Sequence, residues 1–166
     1  DETAVRAVLQ AFNRLRVLCA LREGEWGVAG LNEAIQSALM RQGWLQVAGE
    51  WYVGRPVMIV RNDHALGLYN GDIGIAAHDG ERLRVWFELP DGQVRGFLPS
   101  RLPEHETAFA LTVHKSQGSE FAHTLLVLPD QDNPVLTREL LYTGITRAKQ
   151  RLDLFAHRAG DTREGH

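Results

Sequence analysis

The chain has very little cysteine and lysine, and it has no long apolar run. Its one cysteine, Cys19, excludes an internal disulfide and a zinc site built on paired cysteines, and such usage is compatible with a reducing, cytoplasmic setting. No stretch approaches the roughly 20 apolar residues that cross a bilayer, and no signal peptide is visible. The seven histidines are scattered without metal-ligand spacing, so we expect no metal site. Because the sequence begins at Asp1 and not at methionine, we expect it to be a piece of something longer.

The composition also lacks an excess of positive charge. The formal net charge is −3, so any contact with nucleic acid must come from the local placement of side chains. The only two lysines are Lys115 and Lys149. A genome rich in G and C, which encodes arginine in place of lysine, explains this scarcity. With 166 residues, of which 44% are hydrophobic and 23% are charged, the chain has the size and composition of one globular domain.

The most informative pattern in the sequence is a polar cluster between two apolar runs. Residues 109 to 113 form the first run, and residues 124 to 128 form the second. Between them, residues 112 to 120 supply a hydroxyl, an imidazole, an ammonium, an amide, a glycine and a carboxylate. Open α/β sheets present functional groups in this way at the carboxyl ends of their strands. The sequence therefore predicts a functional site in this stretch.

Two motifs in and after this stretch resemble those of a known enzyme family. Residues 112 to 121, Thr-Val-His-Lys-Ser-Gln-Gly-Ser-Glu-Phe, resemble motif V of superfamily 1 helicases. Residues 140 to 149, Leu-Leu-Tyr-Thr-Gly-Ile-Thr-Arg-Ala-Lys, resemble motif VI in the expected order and at the expected separation. The RecD branch in particular is similar to residues 18 to 32, 55 to 63 and 66 to 72. The resemblance covers about residues 14 to 157 and implies the carboxyl-terminal part of such a helicase.

Hydrophobic periodicity predicts an α/β fold. The predicted elements are a helix from Glu2 to Arg14, a strand from Arg16 to Leu21, a helix from Leu31 to Gln42 that stops at Gly43, a strand from Pro56 to Val60, a helix from about Thr137 to Lys149, and a final strand from Leu152 to Ala156. Three hairpin-type dipeptides, Asn70-Gly71, Asp79-Gly80 and Asp91-Gly92, delimit short strands between them. The RecD resemblance implies that these strands form a small SH3-like β-barrel inserted into a RecA-like second helicase lobe of the P-loop NTPase type. The expected boundaries are 1–71 for the first RecA-like segment, 72–104 for the insertion, 105–157 for the second segment and 158–166 for a flexible tail.

The sequence lacks the usual loop for nucleotide phosphates. The pattern G-x-x-x-x-G-K-[ST] is absent, and no Gly-Lys dipeptide occurs. We therefore expect ATP and Mg²⁺ to be bound mostly by a preceding RecA-like lobe of the same polypeptide, and this fragment alone to bind neither and to be inactive. The motif VI resemblance implies a catalytic role for Arg147 as an arginine finger; the alternative is a surface arginine that pairs with an acid such as Glu139. The remaining ATP-side candidates are Gly118 and Glu120 of motif V, Gln117, which either orients a phosphate or caps its loop, and Arg22.

Three residues of the polar cluster are candidates for contacts with DNA. The hydroxyl of Thr112 and the imidazole of His114 can donate to phosphate oxygens without reading the base sequence, and the alternative is a satisfied hydrogen bond inside the protein. Lys115 is a backbone-contact candidate, with a solvated lysine as the alternative. Asn62 and Asn70 fall at strand ends of the RecD-like segment, where turn formation explains them almost as well.

The resemblance implies a motor that translocates along single-stranded DNA from 5′ to 3′ at the expense of ATP. It further implies the alpha subunit of exodeoxyribonuclease V, with RecB and RecC as partner subunits and no membrane partner, acting in double-strand break repair and recombination. Two alternatives remain open. One is a stand-alone RecD-like or relaxase-associated helicase of superfamily 1, and the other is a non-enzymatic module whose SH3-like insertion binds protein.

Overall fold

A computed structural model describes residues 2–116, 121–128 and 147–156. The chain divides into two compact units, one formed by Asp1–Phe12 and Ala34–Phe109 and the other by Asn13–Glu33 and Ala110–His166. The described elements, in chain order, are α1 (Glu2–Arg14), β1 (Leu15–Cys19), α2 (Val28–Arg41), β2 (Pro56–Ile59), β3 (Ile73–His78), β4 (Leu83–Glu88), β5 (Val94–Phe97), a 3-10 helix (Pro99–Arg101), β6 (His105–Thr107), β7 (Ala110–Thr112), a second 3-10 helix (His114–Ser116), β8 (Phe121–Leu128) and β9 (Ala148–Ala156).

Helix α1 confirms the predicted span. Val5 and Leu9 lie on its buried side, as their spacing of four requires for residues that share a helix face. Glu2 lies in the first turn and Arg14 in the last, where each charge complements the helix dipole. No described helix is both long enough and apolar enough to cross a bilayer.

Helix α2 begins before the predicted residue and ends close to the predicted stop. Gly43, just beyond it, has a φ of +77°. The amide of Gly43 donates to the carbonyl of Met40 at 3.0 Å, and the amide of Trp44 donates to that of Leu39 at 3.0 Å. These two bonds satisfy the last carbonyls of the helix, and the positive φ explains why a glycine ends it.

The second unit is built on a parallel sheet with the strand order β7-β1-β8-β9. Strand β1 pairs in parallel with both β7 and β8, so that Cys19 lies level with Thr112 and Val127. Leu18 and Cys19 are fully buried. A parallel strand covered on both faces requires such an apolar sequence. The predicted strand at residues 16 to 21 is confirmed within two residues at each end.

The first unit contains a five-stranded antiparallel sheet with the order β5-β4-β3-β2-β6. Gly80 and Gly92, in the turns on either side of β4, both have positive φ, which favours glycine in the two-residue turn that contains Gly80 and in the three-residue turn that ends at Gly92. The core of this sheet is formed by Val57, Ile59, Leu68, Val85, Phe87 and Phe97. The predicted meander of short strands is therefore present.

This sheet extends beyond the expected insertion at 72–104. Strand β2 pairs with both β3 and β6, and both pairings are antiparallel, whereas we expected β2 and β6 in the RecA-like segments. The four residues of β2 are all buried. Such a uniformly apolar run looks the same in a parallel strand and in an antiparallel core strand, so periodicity could not assign it. The SH3-like identity of the sheet remains a prediction.

The predicted helix from Thr137 to Lys149 is wrong at its end. Strand β9 begins at Ala148, and Arg147 occupies the turn before it. Ala148 pairs with Phe121, and the pairing continues to Ala156 opposite Leu128. Pairing with β8 therefore outweighs the local helical preference of these residues. Residues 137–146 of the predicted helix and the tail at 158–166 lie outside the described residues.

Candidate nucleotide and nucleic-acid site

Thr112, His114 and Lys115 lie together where β7 ends. The amide of Val113 donates to the carbonyl of Cys19 at 2.9 Å, which continues the pairing with β1 past the last strand residue. The hydroxyl of Thr112 accepts a hydrogen bond from the amide of Lys115 at 3.2 Å. This bond holds the 3-10 turn against the strand end. The described part of the predicted polar cluster, residues 112–116, thus lies at the carboxyl end of the parallel sheet.

The three side chains of this turn differ in exposure. Thr112 is 7% exposed, His114 is exposed and Lys115 is half-buried. The predicted alternative for Thr112, a hydrogen bond inside the protein, is present. A hydroxyl that accepts a bond can still donate its own proton, but His114 offers the most accessible donor. Ser116, whose hydroxyl donates to the carbonyl of Val113 at 2.6 Å, fixes the end of the turn.

Arg22 belongs to the loop that follows β1, at the same end of the sheet. Its carbonyl accepts the amide of Ala29 at 3.1 Å. The loop packs tightly because Gly30 has no side chain: a Cβ there would lie 2.5 Å from the carbonyl oxygens of Gly24 and Glu25. Arg22 is therefore placed with the predicted DNA-side residues and not with the other ATP-side candidate that the structure describes.

Arg147 lies at the opposite, amino end of the parallel strands. Its carbonyl accepts the amide of Phe121, the first residue of β8, at 2.7 Å. The side chain is half-buried, and its Nε atom is buried. Strand β8 has eight residues, so its two ends are roughly 23 Å apart at about 3.3 Å per residue. The sheet thus separates Arg147 from Thr112 by about the length of a strand.

Gln117, Gly118 and Glu120 lie outside the described residues. They directly precede Phe121 in the sequence. The hydrogen bond between Phe121 and Arg147 therefore joins the end of the motif V sequence to motif VI. This bond is the point at which the structure brings the two helicase-like motifs together.

Sequence reasoning missed Arg16, which lies at the same amino end. Arg16 is 2% exposed, its Nη2 donates to the amide oxygen of Asn13 at 2.7 Å, and its guanidinium lies 5.0 Å from the ring centroid of Phe121. Burial lowers the pKa of Arg16 to about 10, so the group stays charged at neutral pH. An arginine inside the apolar strand Leu-Arg-Val-Leu-Cys was the available signal.

Asn62 and Asn70 lie in the antiparallel unit, in the loop between β2 and β3. The side-chain oxygen of Asn62 accepts the amide of Asn70 at 2.8 Å, and that of Asp63 accepts the amide of Leu66 at 3.1 Å. The predicted alternative, turn formation, accounts for Asn62. Tyr69 in the same loop is 42% exposed, and its ring makes an edge contact with that of His64 at 5.5 Å.

The described residues offer little for a metal ion and one clear group for a nucleotide. None of them form a group of three or more side chains suited to a metal. The half-buried guanidinium of Arg147, with the charged Arg16 near the same strand end, fits a phosphate by charge. The described residues therefore could contact one phosphate of a nucleotide, but they do not form a complete nucleotide-binding site.

Comparison with protein families gives a match to one helicase domain. The UvrD-like helicase C-terminal domain matches residues 107–154. This range contains β7, β8 and Arg147, and it ends inside β9. The match therefore covers the polar cluster and both ends of the parallel sheet described above.

Curated relatives match most of the chain. The RecBCD enzyme subunit RecD of Haemophilus influenzae is 50% identical over 152 residues, which cover 90% of this chain and 22% of the relative. The RecD subunit of Mycolicibacterium smegmatis is 42% identical over 149 residues, with coverage of 89% and 26%. The ATP-dependent RecD2 DNA helicase of Deinococcus radiodurans is 36% identical over 140 residues, with coverage of 82% and 19%. The chain thus spans between 19% and 26% of the length of these three relatives.

Two solved structures share the fold. Pif1 helicase from Bacteroides in complex with ADP-AlF3 and ssDNA has a TM-score of 0.55 and 17% identity, and the match covers 87% of this chain and 40% of that one. Bacteroides Pif1 bound to ssDNA has a TM-score of 0.55 and 16% identity, with coverage of 90% and 44%. At these identities the likeness concerns the fold alone.

Proposed function

Because the chain belongs to the RecD family of superfamily 1 helicases, we propose that it is the carboxyl-terminal, RecA-like motor lobe of a longer ATP-dependent DNA helicase. The observation that carries this proposal is the hydrogen bond from the amide of Phe121 to the carbonyl of Arg147. It fixes the backbone of Arg147 at the strand end where the motif V sequence enters β8. A guanidinium held there is positioned for a phosphate bound by another lobe.

Arg147 would serve as the arginine finger. Its stem is half-buried and its backbone is bonded to β8, so the guanidinium is held in place before substrate arrives. A planar guanidinium can donate two parallel hydrogen bonds to phosphate oxygens, which lysine cannot do. ATP with Mg²⁺ supplies the phosphoryl group and its charge, and the lobe that precedes this chain would hold most of both. Gly118, Glu120 and Gln117 are the proposed nucleotide contacts of this lobe, and Arg22 is the least supported by its position.

The polar turn at the other end of the sheet would hold DNA. His114 is exposed and Lys115 is half-buried, so an imidazole and an ammonium can reach backbone phosphates without reading bases. Thr112, fixed by its bond to the amide of Lys115, would contribute its hydroxyl proton. The parallel strands join this turn to the end that carries Arg147, so a movement at one end of the sheet would be transmitted to the other.

The finer assignment is to the alpha subunit of exodeoxyribonuclease V. Relatives named as RecBCD enzyme subunits are 50% and 42% identical to the chain, which supports RecB and RecC as partners. The likeness to the RecD family further leads us to propose translocation from 5′ to 3′ and a role in double-strand break repair and recombination. The antiparallel unit would be the SH3-like insertion, extended by β2 and β6. Asn62 and Asn70 in its β2–β3 loop remain proposed DNA contacts.

Replacement of Arg147 in the full-length parent tests the motor assignment. We expect Arg147→Ala to lower DNA-stimulated ATP hydrolysis by about 10³-fold or more, since an arginine finger contributes about 10³ to 10⁵ in rate. Nucleotide affinity, measured separately with a fluorescent analogue, should be largely kept. Arg151→Ala is the matched control, because Arg151 lies four residues further on, within β9, with its side chain 70% exposed. If the Arg147→Ala parent hydrolysed ATP at a normal rate, this lobe would be a non-catalytic binding module and not part of the motor.

A further inference from the structure

Phe121 contacts both of the strands that flank β8 at the amino end of the parallel sheet. Its amide donates to the carbonyl of Arg147 at 2.7 Å on the β9 side. On the β1 side, its ring centroid lies 5.0 Å from the guanidinium of Arg16. Both residues are buried, and the attraction between a cation and an aromatic ring is strongest where water is excluded.

The backbone pairing at this end of β8 is incomplete. Strand β1 first pairs with β8 at Leu15, opposite His123, so Phe121 lies two residues ahead of that ladder. On the other side, the register between β8 and β9 shifts between Phe121 and His123, and such an irregularity disrupts the ladder locally. The position of Phe121 therefore depends on the contacts of its side chain as well as on its backbone bond.

Arg16 is itself held in place. Its Nη2 donates to the side-chain oxygen of Asn13 at 2.7 Å, and its backbone lies opposite Thr124 of β8. Burial lowers the pKa of Arg16 to about 10, so the cation persists at neutral pH. A planar guanidinium can stack on an aromatic face while its edge donates hydrogen bonds. One side chain thus fixes the ring of Phe121 relative to Asn13.

We propose that Arg16 is a positioning residue for Arg147, because it holds the ring of Phe121 and so fixes the backbone bond between Phe121 and Arg147. Its own guanidinium lies between Asn13 and Phe121 and would not contact the nucleotide. The inference rests on the proposed role of Arg147 as an arginine finger. It adds a residue that the family match does not contain, since Arg16 lies outside residues 107–154.

Replacement of Arg16 in the full-length parent tests this role. Arg16→Met keeps a long apolar side chain but removes the charge and the planar group. We expect kcat and kcat/KM for DNA-stimulated ATP hydrolysis to fall equally, by about 10-fold to 100-fold, because a misplacement of about 1 Å can cost that much without weakening substrate binding. Arg14→Met is the matched control, since Arg14 is exposed two residues earlier, and it should hydrolyse ATP at the parent rate. Equal rates of the two variants would overturn the proposal.

Combination with Arg147→Ala distinguishes positioning from a general loss of structure. If Arg16 acts through Arg147, Arg16→Met should lower the hydrolysis rate no further once residue 147 is alanine. Single-turnover hydrolysis of radiolabelled ATP with enzyme in excess measures these low rates. A loss as large in the Arg147→Ala background as in the parent would overturn the proposal, because Arg16 would then support the fold and not the arginine finger.

Phe121→Leu tests the same contact from the other side, and it decides the question if Arg16→Met does not fold. This variant keeps the amide that bonds to Arg147 and a buried apolar side chain, but it lacks the ring. We expect kcat to fall as in Arg16→Met with KM unchanged, and an unchanged kcat would overturn the proposal. If Arg147→Ala lowers hydrolysis while Arg16→Met and Phe121→Leu do not, only the positioning role fails. Normal hydrolysis by Arg147→Ala would instead overturn the proposed motor function, and the positioning role with it.

Discussion

Asp79 shows how one exposed carboxylate organises its neighbourhood. It accepts hydrogen bonds from the amides of Glu81 and Arg82 and from the Nε of Arg84, and so fixes both the turn between β3 and β4 and the side chain of Arg84. Hydrogen bonds from the backbone of Arg82, then from the side chain of Arg84 and the backbone of Glu81, hold the pKa of Asp79 well below its ordinary value. These bonds all favour the charged form of the carboxylate.

This lowered pKa predicts how stability depends on pH. A carboxylate with a lower pKa in the folded state stabilises the protein above its unfolded pKa, near 3.9, and loses that contribution as the pH falls towards the folded pKa. We therefore expect Asp79→Asn to be less stable than the parent chain at pH 7, and the difference to shrink below about pH 4. Urea unfolding followed at several pH values measures it. A difference that stays constant across this range would show that the charge of Asp79 does not contribute.

At the scale of elements, helix α2 depends on a glycine in an unusual way. Gly30 lies in the first turn of the helix, where glycine is normally about 1 kcal/mol worse than alanine. A Cβ at this position would lie 2.5 Å from two backbone carbonyl oxygens of the preceding loop. Backbone cannot move aside as a flexible side chain can. The close approach of loop and helix therefore reverses the usual preference.

Replacement of this glycine should accordingly destabilise the chain. We expect Gly30→Ala to lower the free energy of unfolding by about 1 to 3 kcal/mol, the usual cost of overpacking. Gly49→Ala is the control, since no atom lies within 4 Å of its added Cβ and its φ is not in the left-handed region. That change should be neutral or slightly stabilising. Thermal unfolding of both variants measures the difference in stability. A Gly30→Ala protein as stable as the Gly49→Ala control would show that the loop shifts to accommodate the added methyl group.

Local patterns predicted some elements well and others poorly. The spacing of Val5 and Leu9 was enough to place α1, and the Asp-Gly dipeptides were enough to place the turns around β4. The partner strands of β2 depend on residues far away in the chain, and its uniformly buried sequence carries no mark of a parallel or antiparallel partner. In the same way, the turn at Arg147 is decided by pairing with β8, which local preference does not contain.

The candidate site was predictable to a similar degree. The polar cluster after β7 was recognisable as a break between two apolar runs, and its described residues, 112–116, lie at a strand end as expected. The separation of Arg22 from Arg147 was not predictable. Arg22 follows β1 and Arg147 precedes β9, so the two lie at opposite ends of the parallel sheet, but the sequence had placed Arg147 in a helix. Arg16 stood out only as a charged residue in an apolar strand, and its contacts with Asn13 and Phe121 depend on the fold and could not be predicted from the sequence.

At the scale of the whole molecule, the parallel sheet is assembled from both ends of the chain. Its strand β1 comes from residues before the antiparallel sheet, and its other described strands come from residues after that sheet. Cys19 in β1 is fully buried, and burial raises the pKa of its thiol to about 11. The reactivity of this thiol, the only one in the chain, therefore shows whether β1 is paired within the parallel sheet.

We expect Cys19 of the intact chain to react with iodoacetamide at pH 8 about 10²-fold more slowly than a free thiol, from the smaller thiolate fraction alone. A chain that ends after Phe109 lacks β7, β8 and β9, so its Cys19 should react at the rate of a free thiol. Mass spectrometry of alkylated protein measures both rates. A truncated chain with a protected Cys19 would mean that other elements bury β1 without its partner strands.

The pairing of β1 with β8 also has a consequence for synthesis on the ribosome. Residues that pair across these strands are separated by roughly 100 positions, which corresponds to about 5 to 20 seconds of translation. During that interval the antiparallel unit is completed, while the nascent β1 exposes an apolar strand with both hydrogen-bonding edges vacant. The growing polypeptide would thus present a binding site for chaperones until β8 emerges from the exit tunnel.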